Sequence, residues 1–179
     1  MLCVCAAVMV AELPADLSVT VATRQAALMV QDTQFAAAVQ LLNELQLGFG
    51  IRTGSHPVAG LRTAAGVGVG HLGASRMQAG YRYRGLVTRS LWIAGGWAFE
   101  NGLGFMAQGR ANLAAYELTS VIFSYAEVEL GPSLTSPIGR HARLEWSVPF
   151  VYQFRRDVDL AMGVGVRGAF VLEFSPPRP

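Results

Sequence analysis

Residues 143–174 read RLEWSVPFVYQFRRDVDLAMGVGVRGAFVLEF, and this stretch decides the fold. Together with Ala142, Leu144, Trp146, Val148, Phe150, Tyr152 and Phe154 share one face, while Arg143, Glu145, Ser147, Gln153 and Arg155 share the other, joined by Pro149 and Val151. A polar pair, Arg156-Asp157, reverses the chain, and the pattern restarts. Leu160, Met162, Val164, Val166, Phe170, Leu172 and Phe174 then oppose Ala161, Gly163, Gly165, Arg167 and Glu173. Side chains of a strand alternate between faces, so period two means a sheet with one greasy side and one polar side. Ordinary strands run to about five or six residues. These are longer, and suit a wall whose tilted strands need about ten residues to cross a bilayer.

Composition points the same way. Hydrophobic residues make up 52% of the 179, and mean hydropathy is +0.36. The longest apolar run, Met1 to Ala11, falls short of the roughly 18 to 20 residues of a membrane helix. Hydrophobicity diluted by alternation is the mark of a barrel. All 14 cationic residues are Arg; its charge survives partial burial and its planar fork fits carboxylates, so it suits packed ion pairs. A net charge of +2 selects no partner. Tyr81-Arg82-Tyr83-Arg84 puts its two Arg opposite its two Tyr, which makes no nucleic-acid surface.

Residues 1–15 have the apolar core of a secretory signal, with Ala11 or Ala15 as cleavage position, but the first Arg is Arg24. Cys3 and Cys5 both lie there, leaving no disulfide framework and no thiol site in the rest of the chain. Residues 16–44 stay open between a short strand on Leu17, Val19 and Val21, a helix on Phe35, Ala38, Val39 and Leu42, and an extra hairpin.

From Leu45 the alternation is nearly continuous. Strands are expected at 45–52, 61–70, 76–84, 91–99, 103–110, 116–130, 142–155 and 160–174, with Gly131 to Gly139 as a loop. Asn101-Gly102 is the strongest hairpin signal in the chain. The expected fold is all-β: an up-and-down antiparallel transmembrane β-barrel of about eight strands, ten being the other count, over residues 45–174, with 175–179 as a tail.

An eight-stranded barrel is filled by its own side chains. The polar face should therefore hold a charge network of Arg52, Arg62, Arg76, Arg82, Arg84, Arg110, Glu127, Glu129, Arg143, Glu145, Arg155, Arg167 and Glu173. Nine Arg against four Glu leave a cationic surplus, so an open lumen would prefer anions. The two G-x-G-x-x-G matches, at Gly68 and Gly163, lack the following helix and the acidic partner of a dinucleotide site. His56, His71 and His141 have no ligand spacing and no carboxylate in the same strand pair, so neither metal, cofactor nor catalysis is expected.

With these strands in place the chain resembles the small eight-stranded outer-membrane barrels, outer-membrane proteins A, X and W. The ending from Gly163 carries the likeness, with Phe170, Leu172 and Phe174 matching the C-terminal signal by which such barrels are inserted. The resemblance implies residence in a bacterial outer membrane, with lipid and the barrel-assembly machinery as partners. It also implies a structural or interaction role, or a narrow conduit. Two departures stand out: five residues follow Phe174, and the longest connection falls on the side where turns should be short. Two other readings remain open. One is a water-soluble, lipocalin-like barrel with its greasy face inward around a hydrophobic ligand. The other is a lipid-modifying enzyme of the outer membrane.

Overall fold

A computed structural model describes residues 15–32, 37–53, 58–76, 82–115, 121–155 and 160–174. The elements are β1 (Ala15–Asp32), β2 (Ala37–Thr53), β3 (Gly60–Arg76), β4 (Arg82–Ala98), β5 (Leu103–Ala115), β6 (Val121–Pro137), β7 (Ala142–Ser147), β8 (Phe150–Arg155) and β9 (Ala161–Phe174). Each pairs antiparallel with its chain neighbour in the wall, and β1 closes on β9. β7 and β8 are two pieces of one wall strand. Ser133↔Ser147 and Leu130↔Phe150 keep a single register on β6, and the break is Pro149, which has no N–H for the ladder. The result is a closed, up-and-down, eight-stranded barrel.

The register fixes its shape. Following partners once around, from Val19 through Phe49, Ala65, Ile93, Gly109, Val128, Tyr152 and Met162, returns to β1 at Gln31, twelve residues further on. Twelve rises of about 3.3 Å against eight spacings of about 4.8 Å give a strand tilt of about 45°.

Two differences from the sequence reading resolve each other. The barrel begins at Ala15, not Leu45: 16–44 supplies nearly all of β1 and the first half of β2, the hairpin alternative. The stretch 76–84 is not a wall strand of its own, because β3 ends at Arg76 and β4 runs unbroken from Arg82 to Ala98. One strand gained and one lost leave the count at eight. The supposed loop from Gly131 is also strand, since β6 continues to Pro137. Gly131-Pro132-Ser133 has turn composition, but pairing to β5 through Phe105↔Pro132 overrides it. With that, the connection to β7 shrinks to residues 138–141. The β4–β5 hairpin turns at Asn101-Gly102, where Gly102 takes a φ of 84° and the Asn101 Oδ1 accepts the Leu103 N–H at 3.0 Å. Residues 1–14, all of the signal-like segment but Ala15, and the tail 175–179 lie outside the described residues.

Sidedness is unambiguous. Phe49, Leu91, Ile93, Trp97, Phe105, Trp146, Phe150 and Phe170 are exposed on the outer wall. Arg24, Glu44, Arg110, Glu127, Glu129 and Arg167 are buried inside. This is the reverse of a lipocalin, whose apolar residues face in. Trp97, Phe105, Trp146, Phe170 and Phe174 gather toward the rim where β1 starts and β9 ends, the terminal rim. The greasy wall is not seamless: Gln25, Asn43 and His71, directly opposed on β1, β2 and β3, also face outward, with Arg89 nearby on β4.

Candidate functional site

The lumen has three layers. Toward the distal rim, Leu28, Val30, Leu42, Leu72, Leu86 and Val151 form an apolar cluster. Inward positions near the distal ends of the strands carry bulky aliphatic groups, and a narrow barrel lets them meet across its axis.

Below it lies the charge layer. Arg24 on β1 binds Glu129 on β6, and its second nitrogen is 3.9 Å from Glu44 on β2. Arg110 on β5 pairs with Glu44 and lies 3.7 Å from Glu127. Arg167 on β9 pairs with Glu129 at 3.1 Å and donates to Gln108. Neutral groups complete the set. Gln46 donates to Glu44 at 2.8 Å, Ser90 bonds the same carboxylate, and Gln153 donates to Glu127 at 2.7 Å and to Gln40 at 2.8 Å. Three guanidiniums and three carboxylates cancel. Burial of any one alone would carry a heavy desolvation cost, which the others offset.

Glycine on β3 makes the room. A Cβ on Gly68 would stand 2.6 Å from both the Glu44 carboxyl carbon and the Ser90 hydroxyl. On β2, Gly48 admits the Trp92 ring, whose Cζ2 would be 2.6 Å from an added Cβ. Trp92 is thereby turned inward, and its Nε1 donates to the Val67 carbonyl at 3.2 Å.

Nearest the terminal rim the inward residues are small, among them Ala22, Ala64, Ala94, Ala98, Ser133 and Ala169. They leave a cavity of about 120 Å³. Arg143 on its wall is held by Glu145 at 2.7 Å and by Glu173.

Of the expected network, Arg110, Glu127, Glu129 and Arg167 meet in the charge layer, and Arg143, Glu145 and Glu173 form the separate cluster at the rim. Arg52 and Arg62 face inward there, directly opposed in register. The side chains of Arg76, Arg82, Arg84 and Arg155 lie outside the described residues. Sequence reading missed Arg24 and Glu44, the two charges that tie β1 and β2 to the plug. The run Ser18, Thr20, Ala22, Arg24 was the available signal. His71 faces outward, His141 stacks on Phe174 with ring centroids 6.3 Å apart, and His56 is not described. Among the described residues no His, Cys, Asp and Glu group is placed to hold a metal.

The barrel is similar to the crystal structure of Neisserial surface protein A, with a TM-score of 0.56 over 90% of this chain and 99% of that one, at 10% identity. No family model and no curated protein matches the chain.

Proposed function

We propose that the chain is a small outer-membrane barrel of a diderm bacterium, with a structural or interaction role rather than a catalytic or conducting one. The carrying observation is the filled lumen: among the described residues an apolar layer stacked on a neutral, buried ion-pair layer leaves the cavity blind. The apolar outer wall and the aromatics near the terminal rim support a membrane setting, and the fold likeness to a surface protein agrees with it. In this reading the terminal rim faces the periplasm. His71 on the outer wall and His141 stacked on Phe174 are poorly placed to activate a nucleophile inside, which favours a role without catalysis.

The test is planar-bilayer conductance of the refolded protein. No steady conductance is expected; stable unitary channels would overturn the closed-lumen reading. The partners follow from the same reading. Phe174 is half exposed at the end of β9, opposite Val19. As part of an insertion signal read by the assembly machinery, its replacement in Phe174→Ala should lower the folded, membrane-embedded fraction without changing synthesis. Normal assembly of that variant would remove the signal from the proposal.

A further inference from the structure

The lumen leaves one feature of the barrel unexplained, and it lies on the outside. Gln25 on β1, Asn43 on β2 and His71 on β3 are direct cross-strand partners that face outward as a row, and Arg89 on β4 is diagonal to His71. Among the described residues, none of these four side chains has a hydrogen-bond or ionic partner. One bond along each neighbouring pair would still leave most of the row's N–H donors without an acceptor. Elsewhere in the middle of the wall the described outward positions carry apolar or aromatic groups, glycine or threonine.

Depth separates the four. With a tilt of about 45°, one residue climbs about 2.3 Å along the barrel axis and one cross-strand step about 3.4 Å. The outward apolar band, from Leu17 to Phe154, is then about 30 Å tall. Arg89 and His71 lie about 5–6 Å inside its distal edge, Asn43 about 8 Å and Gln25 about 12 Å. The Arg89 stem is long enough to carry its charge to the headgroups. The amides of Asn43 and Gln25 are too short for that, and an amide left unpaired in hydrocarbon costs free energy.

Chemistry and placement fix the partner. A lipid phosphate offers acceptors only, and it sits at the edge of the band. A primary amide carries donor and acceptor together, so its best complement at that depth is another amide. Copies inserted from one side share one orientation, and a two-fold axis between them stands along the membrane normal. Each residue then meets its own counterpart at equal depth. An axis through Asn43 sets the two Asn43 amides face to face, with the two Gln25 amides flanking them. Exposed Leu41, Leu45 and Val69 surround the row and close around these bonds.

We propose that this row is the interface at which a second copy of the chain docks side by side in the membrane. The proposal names a partner for the interaction role and rests on the membrane setting. Arg89 lies round the curve of the wall and stays outside the contact.

Sedimentation equilibrium of the refolded full chain in density-matched micelles should show a monomer–dimer equilibrium. Gln25→Leu with Asn43→Leu should raise the dissociation constant about tenfold, a difference of about 1.4 kcal/mol. Arg89→Gln should leave it unchanged. Photo-cross-linking in phosphatidylcholine vesicles reads the neighbour directly and does not disturb the row. With p-benzoylphenylalanine in place of Leu45, beside the axis, illumination should give covalent dimer. The same probe in place of Val128, on the opposite wall at the same depth by register, should give lipid adducts only. A monomer at every concentration, undiminished association of the double variant, or equal dimer from both probe positions overturns the proposal. Lipid adducts alone from the Leu45 position give the row to lipid and overturn it too. A chain that does not enter vesicles sinks the membrane reading itself, whereas a chain that enters them and stays monomeric sinks only the docking.

Discussion

The distal and terminal parts of the lumen are lined by the same strands, yet among the described residues one holds a buried apolar cluster and the other a cavity. β1 gives Leu28 and Val30 to the first and Thr20 and Ala22 to the second. β4 gives Leu86 to the first and Ala94 and Ala98 to the second. The backbone cylinder has the same girth at both levels, so side-chain volume at inward positions, not barrel size, decides where space is left. Between them sits a layer whose six charges are useful only together.

The largest effect should come from breaking that layer. Glu129→Leu leaves Arg24 and Arg167 buried without their shared carboxylate and should cost about 3–5 kcal/mol in reversible urea unfolding from lipid vesicles. A loss under 1 kcal/mol would mean that water reaches the layer and the division of the lumen is weaker than drawn. Next, Leu86→Ala, at a fully buried site in the distal cluster, should cost about 2–5 kcal/mol by the same assay. Thr135→Ala, on the cavity wall, should cost less, about 1 kcal/mol.

The third comparison sets the cavity against the outer wall, using neighbours on one strand. Val148 is 48% exposed outside, and Ser147 lines the cavity inside. Val148→Arg should destabilise by about 2–4 kcal/mol if that face meets lipid, and Ser147→Arg by much less. The reverse order would place the greasy face away from lipid. The smallest contrast concerns glycines. Gly68→Ala drives a methyl into the Glu44 carboxylate and should cost about 1–3 kcal/mol. Gly95→Ala, whose added carbon finds nothing nearer than 3.8 Å, should be close to neutral.

What was legible in the sequence follows from where polarity and sidedness agree. In β9 every large apolar residue at alternate positions from Met162 to Phe174 is outward and both charges are inward, so the strand reads correctly at sight. In β1 the rule inverts halfway. Thr23 and Gln25 face out while Leu28 and Val30 face in, because the distal plug needs apolar groups inside. A periodicity reading averages the two halves to nothing, and Arg24 and Glu44 were lost with it. The segment from Gly131 failed for a different reason. Its local turn chemistry is real, but the partners that hold Pro132 and Ser133 in the wall, on β5 and β7, come from distant sequence. Arg110, Glu127, Glu129 and Arg167 could be named as lumenal from alternation alone. Which of them would touch could not, because that depends on the twelve-residue stagger around the barrel.

That stagger and the charge layer together bear on how the chain closes. Arg24 reaches Glu129 across 105 residues of sequence, Arg110 reaches Glu44 across 66, and Arg167 reaches Glu129 across 38. A hairpin-by-hairpin meander therefore gains most of its ladder while these charges still lack their cross-lumen partners. An open or misregistered sheet would present isolated guanidiniums and carboxylates to whatever medium surrounds it. Only docking β1 on β9 in the native register brings all six into one neutral set. The charge layer is thus complete only in the closed, correctly registered barrel. Contacts so remote in sequence are expected to form late in folding, and parting β1 from β9 would have to break the charge layer as well as the ladder.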